Sequence, residues 1–483
     1  MATLIMSMRY LLISPPKKGI KLFIESPCVG LGYLATAIRK LGHEVKIIDC
    51  IVEDLDNYQT VVEVVKYRPD IVGINLFSTA LSSVKDLVGK IKYLQDDRDP
   101  EFKPMIILGG PHCSGSPEHT LKYFPEADYA FRGECEIPIK EFDEFLQGKR
   151  LEGDVTGLIW RQGTSIVANP PIEYRNIEEF GMPAWDLIDP RKYFKQVNVG
   201  DKSINVHFSR GCPFSCKFCV KLGNKVRLRS IEHIWEELEY LNKEFGVERF
   251  IINDEGYTML PAFVKKFCRM ALSKGNRFTF FTATGMRLNR LDSEMLELMK
   301  EARHELAFGV GIESGVPRVR QDLMNKQLTQ EEILNGLYLL NKHGFKPFGN
   351  FIMGFPGETK EELKESVNLA CKLFDRGLLV GASFVNFIPL PGSPIVNEML
   401  KSGELSEDFD FSKMNLGVVC YAPKGSTIKE MDKLRRWAVW KMNTRPKLLW
   451  HYLSNWGHFK RAIISFIRIY TPNFLLPKDW RRL

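Results

Sequence analysis

A chain of 483 residues exceeds what one ordinary core organises, so two domains and an appendage are expected. Hydrophobic residues at 44% and charged residues at 26% exclude a disordered or fibrous chain, and ten cysteines with no disulfide-like rhythm and no secretory leader point to a reducing cytoplasm. The net charge of +8 is uneven: residues 427–483 carry 13 Lys/Arg against 3 Asp/Glu, whereas the rest carries 54 against 56. In chain order, Tyr10–Ile13 reads as a short apolar strand ending at Ser14-Pro15-Pro16, Gly32–Leu41 as a helix and His43–Asp49 as a second strand. Val61–Tyr67 is helical, Ile71–Asn75 a buried strand, Val84–Leu94 a helix, and Met105–Leu108 and Tyr129–Arg132 are further strands. This alternation predicts a doubly wound parallel sheet over residues 1–150. Ligands of such sheets sit at the carboxyl ends of strands, where Ser78-Thr79, Gly109-Gly110 and Gly133-Glu134 fall.

Residues 151–200 read as a connector, with a two-strand element (Gly157–Trp160 and Ser165–Ala168) before a proline-punctuated stretch. Six strands follow over 201–395: Ile204–Ser209, Arg249–Asn253, Phe278–Ala283, Glu305–Gly311, Pro347–Met353 and Gly381–Ile388. Between them Ile234, Leu238, Leu241 and Phe245 share one helical face, and Ile333, Leu337 and Leu340 another. Six βα units predict a partial (β/α)6 barrel, with chemistry at the C-terminal ends of its strands. Residues 396–483 complete the chain as a mainly helical basic region.

The loop after the first barrel strand reads Ser209-Arg210-Gly211-Cys212-Pro213-Phe214-Ser215-Cys216-Lys217-Phe218-Cys219. Three thiolates within eight residues suit one iron–sulfur cluster and leave one iron without a protein ligand, open to substrate. A zinc knuckle would require a fourth Cys or His nearby, and His207, within the strand, is the one local candidate.

C-x3-C-x2-C with the aromatic Phe218 before the last cysteine, following a first barrel strand, resembles the signature of the radical S-adenosylmethionine (SAM) superfamily. The resemblance implies a [4Fe–4S] cluster on Cys212, Cys216 and Cys219. Asn253-Asp254-Glu255 is similar to the Gly-Gly-Glu element that meets the SAM amino group; the glycines are absent, so Glu255 alone carries over. Gly311-Ile312-Glu313-Ser314 looks like the segment touching the SAM ribose or carboxylate, which implicates Glu313 and Ser314. The stretch from Asn350 to Thr359 is similar to the adenine-side turn, with Gly354 allowing close backbone approach and Thr359 capping the next helix. Pro389–Pro394 closes the barrel, as in relatives.

The first 150 residues resemble the cobalamin-binding domain of the class B methylases over Leu12–Pro16, Gly30–Leu41, Gly42–Asp49, Asp70–Thr79, Ile107–His112 and Asp128–Pro138. The resemblance implies a corrinoid lined by Ser78, Thr79, Gly109, Gly110, Gly133 and Glu134. Many such domains carry a cobalt-ligating His in a D-x-H-x-x-G loop after strand one, where this chain has Ser14-Pro15-Pro16-Lys17-Lys18-Gly19. His112 has H-x-x-G spacing after a later strand and reads as a wall of the pocket, so base-off cobalt without a strong protein ligand is implied. Cys113 and Cys135 lie near that pocket; Cys28, Cys50, Cys268, Cys371 and Cys420 read as inert thiols.

By the same resemblance SAM chelates the open iron, and its reductive cleavage gives a 5′-deoxyadenosyl radical that takes hydrogen from an unactivated carbon. Methylcobalamin then supplies a methyl group, and a flavodoxin or ferredoxin is the implied electron donor. An enzyme of the same architecture that rearranges, cyclises or couples carbons stays open. So does a non-catalytic cobalamin or Fe–S sensor, although no signalling or DNA-binding module accompanies the domains.

The basic region interleaves Arg435, Arg436, Lys441, Arg445, Lys447, Lys460, Arg461 and Arg468 with Trp437, Trp440, Trp450, Tyr452, Trp456 and Phe459. A helical cap on the barrel, a surface helix on anionic lipid and a nucleic-acid-binding segment all fit that pattern, the last without a recognition module. The lipid reading places the protein peripherally on a membrane and favours a lipid or hydrophobic small-molecule substrate. Ala462–Tyr470 is too short to span a bilayer.

Overall fold

Apolar runs without alternation, such as Leu11–Ile13 and Ile106–Leu108, suit strands covered on both faces, and they form the centre of a parallel sheet. The computed structural model describes residues 7–16, 26–94, 99–194, 202–221, 223–406, 409–411, 414 and 419–448. The chain divides into two compact units, Met1–Thr284 with Glu297–Glu305 and Pro389–Met414, and Gly285–Leu296 with Leu306–Ile388 and Asn415–Leu483.

In the first unit β1 (Arg9–Ser14), β2 (Glu44–Asp49), β3 (Ile71–Asn75), β4 (Met105–Gly109) and β5 (Tyr129–Phe131) run parallel in the order β2-β1-β3-β4-β5. The hairpin β6 (Leu158–Gln162) and β7 (Ser165–Ala168) continues this sheet antiparallel beyond β5. A pair expected within the connector is therefore the sheet's edge. The helices are α1 (Val29–Lys40), α2 (Asn57–Tyr67), α3 (Leu81–Lys92), α4 (Pro111–Gly115), α5 (Pro117–Tyr123) and α6 (Pro138–Leu146). Alternate strand residues Tyr10, Leu12, Ile71, Ile107 and Phe131 pack with Leu31 and Ile38 of α1 and Ile139 and Phe142 of α6. The strand order reverses between β1 and β3, which opens the crevice where such sheets bind ligands. The short α7 (Trp185–Ile188) packs on α1 and β2.

The same unit holds β8 (Ser203–Val206), the short pair β9 (Ser209–Arg210) and β10 (Arg227–Leu228), α8 (Ile231–Phe245), β11 (Arg249–Ile252), α9 (Pro261–Ser273) and β12 (Thr279–Thr282). β8, β11 and β12 form a parallel sheet in the order β12-β11-β8. The strand expected over Ile204–Ser209 ends early, at Val206. There the Asp254 carboxylate accepts from Phe208 N at 2.8 Å and from Ser209 Oγ at 2.7 Å, which draws the chain out of the ladder. α8 starts at Ser230, whose side chain accepts from His233 N, and stops at left-handed Gly246.

After α10 (Ser293–Glu301), the second unit carries β13 (Ala307–Glu313), α11 (Gln330–Lys342), β14 (Lys346–Met353), α12 (Lys360–Asp375) and β15 (Gly381–Asn386). Its three strands are parallel in the order β13-β14-β15. Thr359 caps α12 as expected, in a reciprocal box with Glu362. α13 (Pro394–Ser402) belongs to the first unit and α14 (Ile428–Asn443) to the second. α14 packs on β15 and α12 through buried Met431, Ala438 and Met442. Its basic residues are largely engaged: Lys441 with Asn368, Arg436 with Asp432, and beyond the helix Arg445 with Asp375. The described part of the basic region is thus a cap on the second unit's sheet. Lys17–Gly19, Trp450, Tyr452, Trp456, Phe459, Lys460, Arg461 and Ala462–Tyr470 lie outside the described residues. Among the described residues no helix is long and apolar enough to cross a membrane.

Candidate active site

Cys212, Cys216 and Cys219 occupy the loop between β9 and β10. None of the three is in a disulfide; the first two are half-buried and Cys219 is exposed. Backbone bonds fold the loop on itself, with Cys212 N donating to Gly223 O at 3.2 Å and Cys219 N to Cys216 O at 3.1 Å. Lys221 Nζ donates to Phe214 O at 2.8 Å and braces it. Burial raises the Cys212 thiol, and the charges of Cys216 and Glu255 raise it further, so these three side chains share one neighbourhood. Phe218 lies half-buried between Lys217 and Cys219. Among the described residues no three His, Cys, Asp or Glu side chains group around a point as a single metal ion requires. A cubane cluster asks for something else, thiolates on separate corners, and three thiols outside any disulfide on one self-folded loop have that chemistry.

Glu255 follows β11. Its neighbour Asp254 is fully buried, and burial lifts its carboxyl to about 7 against the pull of the Ser209 and Phe208 donors. Asp254 therefore ties the end of β11 to the root of the cysteine loop, a role that the Asn-Asp-Glu sequence alone does not announce.

A cavity of about 530 Å³ lies at the strand-order reversal of the first sheet. Gly109, Gly110, Gly133 and Glu134 line it; from the other side His207, Ser209, Arg210, Asn253, Glu255 and Thr284 line the same space. Two glycines do different work. A Cβ on Gly109 would meet nothing within 4 Å, so its missing side chain leaves the cavity open. Gly110, at φ +104°, is instead required by close packing, because a Cβ there would collide with Asn75 Oδ1. An apolar, glycine-lined space at the crevice of a doubly wound sheet suits a broad, flat corrinoid.

Two expectations for this cavity are corrected. Ser78 and Thr79 are not among its lining residues: Ser78 Oγ is bonded to His112 Nδ1 at 2.8 Å. His112 is likewise no wall of the cavity. Its Nε2 pairs with His119 at 3.1 Å, and burial lowers it to about 3, so the ring stays neutral and both nitrogens are engaged. Glu134 does line the cavity, but its carboxylate accepts from Arg210 at 3.0 Å and Arg227 at 2.6 Å. Arg210 also donates to Glu136 at 2.7 Å and stacks over Tyr33 and Phe180. This buried clamp joins the loop after β5 to the strand that leads into the cysteines. Sequence inspection misses it because Glu134 and Arg210 lie 76 positions apart.

The remaining candidates belong to the second unit. Glu313 ends β13 at φ +66°, held there by Lys326, whose Nζ lies 2.7 Å from Oε1. Ser314 is fully buried and its hydroxyl bonds Ser366 Oγ at 3.0 Å, so that group is committed to α12. Gly354, at φ +75°, donates its N–H to Glu358 Oε2 at 2.8 Å. Elsewhere burial pushes the Cys50, Cys113 and Cys268 thiols up to about 12, which fits inert thiols.

The family model for the radical SAM superfamily matches residues 206–370, and that for the B12 binding domain matches residues 21–143. The chain is 30% identical over 480 residues to an uncharacterized methyltransferase of Pyrococcus horikoshii, covering 96% of this chain and 99% of that one. It is 28% identical over 441 residues to the cytidylyl-2-hydroxyethylphosphonate methyltransferase of Streptomyces wedmorensis, covering 80% of each. It is 26% identical over 457 residues to the anaerobic magnesium-protoporphyrin IX monomethyl ester cyclase of Cereibacter sphaeroides, covering 91% of this chain and 70% of that one. The fold matches that of the cobalamin-dependent S-adenosylmethionine radical enzyme OxsB at a TM-score of 0.72 and 16% identity, over 98% of this chain and 76% of that one. Two family domains in one chain, and a relative matched along almost its whole length, show that the protein belongs to the cobalamin-binding radical SAM enzymes, whose cofactors are a [4Fe–4S] cluster, SAM and cobalamin.

Proposed function

We propose that this enzyme methylates an unactivated carbon of a small molecule, with Cys212, Cys216 and Cys219 as the cluster ligands. The observation that carries the reading is the shared cavity: Gly109 and Gly133 line it from the corrinoid side, and Glu255 and the root of the cysteine loop from the other. Bound there, the cofactors supply a hydrogen-abstracting radical and a transferable methyl group. The chain's own residues bind, orient and exclude. Gly109 leaves room for the macrocycle, Glu255 offers a carboxylate to the SAM amino group, and Phe218 flanks the last thiolate. The Arg210–Glu134–Glu136 clamp fixes the cysteine loop beside the corrinoid domain, and the apolar walls keep water from a radical.

An external electron donor of the flavodoxin or ferredoxin type and a cytoplasmic setting go with this chemistry. Carbon cyclisation without methyl transfer is the second reading, favoured by the cyclase relative at 26% identity. Contact with anionic lipid, and with it a hydrophobic substrate, draws support from Trp440, which is 48% exposed. The cap role of α14 weighs against it.

Anaerobic incubation with reductant, SAM, cobalamin and cell extract tests the assignment. Methylation predicts 5′-deoxyadenosine and S-adenosylhomocysteine rising together with a methylated product, all lost in Cys216→Ala. 5′-Deoxyadenosine without S-adenosylhomocysteine selects the cyclase reading, and full activity in Cys216→Ala overturns the cluster assignment.

A further inference from the structure

The segment from Ser209 to Ser230 carries six basic residues, Arg210, Lys217, Lys221, Lys225, Arg227 and Arg229, and no Asp or Glu. Four of the six are ion-paired with carboxylates from elsewhere in the first unit: Arg210 and Arg227 with Glu134, Lys217 with Glu398, and Arg229 with Glu237. Lys225 is exposed, so water solvates its charge. Lys221 differs from the other five. It is half-buried, and its ammonium has no carboxylate partner among the described residues. Nζ donates instead to two backbone carbonyls inside the cysteine loop, Phe214 O at 2.8 Å and Cys212 O at 3.4 Å.

An ammonium drawn partly out of water is ordinarily matched by a negative group. The two carbonyls engage its donors but cancel none of its charge. The sulfur atoms of the loop can do so. Burial raises the Cys212 thiol, and the Lys221 charge pulls it back down, so the ammonium is felt at the first of the three sulfurs. Three thiolates on an oxidised [4Fe–4S] core leave one negative charge, and reduction adds a second. A cation fixed beside them therefore favours the reduced form.

We propose that Lys221 sets the cluster's reduction potential, holding a positive charge beside Cys212 that stabilises the reduced state. The proposal rests on the assignment of Cys212, Cys216 and Cys219 as the cluster ligands. In the step concerned, one electron leaves the flavodoxin- or ferredoxin-type donor, which is oxidised, and enters the cluster, which is reduced; no bond breaks and no proton moves. Lys221 is a positioning residue: it touches no reacting atom and acts through the charge it brings to the loop. The consequence is a cluster that a donor of moderate potential can reduce.

The test is an EPR-monitored redox titration of the anaerobically reconstituted full chain, without SAM and without turnover, on wild type, Lys221→Gln and Lys221→Arg. Gln keeps a donor for the Phe214 carbonyl and loses the charge, whereas Arg keeps the charge. All three proteins should carry the same iron and sulfide. Near the wild-type midpoint, Lys221→Gln should show a ratio of reduced to oxidised cluster roughly tenfold lower, which is a midpoint lower by about 59 mV for one electron. Lys221→Arg should stay close to wild type. A midpoint in Lys221→Gln that is unchanged or higher overturns the proposal. So does an equal fall in Lys221→Arg, because shape and not charge is then at work. Loss of the cluster or of the fold in Lys221→Gln overturns it as well, since Lys221 is then a brace and not a tuning charge. A wild type that binds no iron would overturn the cluster assignment itself.

Discussion

Gly109 and Gly110 are adjacent in sequence, yet they demand opposite outcomes from substitution. A side chain at Gly109 projects into empty space, so Gly109→Trp should fold, load its cluster and exclude cobalamin by bulk. At Gly110 even a methyl group meets Asn75 Oδ1 while the backbone sits at φ +104°, and Gly110→Ala should lose about 1–3 kcal/mol of stability. Corrinoid titration and thermal melts of the two variants check this; cobalamin binding by Gly109→Trp at wild-type affinity would sink the placement. The sequence shows a Gly-Gly pair after a strand and cannot say which glycine serves the ligand and which the turn. The difference lies in what faces each one across the sheet. Ser78 illustrates the same limit: it stands at a strand's carboxyl end, as a ligand contact would, but the imidazole it bonds lies 34 positions away.

At the scale of elements, the second unit's helix α12 offers a charge test. The Arg318 guanidinium beside Glu362, at 2.7 and 2.8 Å, and the Thr359 cap hold the Glu362 carboxyl down to about 2, from an ordinary value of 4.5. A depressed folded pKa means that the stabilisation is present above 4.5 and is lost as pH falls through about 2. Glu362→Gln should therefore cost about 1 kcal/mol near neutral pH, the worth of a cap, and progressively less below pH 4.5. Thermal melts across that range check it, and a pH-independent difference would mean that packing and not charge is lost. Asp254 and Glu358, both raised to about 7 by burial, act in the opposite sense, and their contribution falls as pH rises toward 7. Regular elements were readable from periodicity: β3 and β7 fall on their expected residues, and the α12 cap follows from Thr359 and Glu362. The first barrel strand was not, because the buried Asp254 carboxylate, from the loop after β11, ends it. Nor did composition distinguish a membrane helix from a cap in the basic region, where Lys441 of α14 meets Asn368 and Arg445 beyond the helix meets Asp375.

For the whole molecule, every residue that lines the cavity lies in the first unit, so cobalamin binding should be felt unequally along the chain. A ligand at a hundredfold excess over its Kd adds about 2.7 kcal/mol to whatever unfolds together with its site. Amide exchange in a chain of two compact units reports each unit's own openings, from local fraying to full unfolding. Adding cobalamin to the cluster-loaded protein should slow exchange at the carboxyl ends of β3 and β4 and along α1, whose Gly30, Leu31, Tyr33 and Leu34 line the cavity. The slowest amides of β1 and β3 should gain roughly a hundredfold in protection, since each 1.4 kcal/mol is a factor of ten. In the second unit, α11, α12 and the parallel strands β13–β15 contribute nothing to the lining, and their exchange should stay unchanged. Equal slowing in α11 and α12 would show that the two units unfold as one. Slowing confined to the second unit would move the corrinoid out of the doubly wound sheet altogether. The expected pattern ties cofactor loading to the unit that also carries Cys212, Cys216 and Cys219. A chain short of cobalamin would then expose its cluster loop to local unfolding, and iron should leave it sooner than it leaves the loaded enzyme.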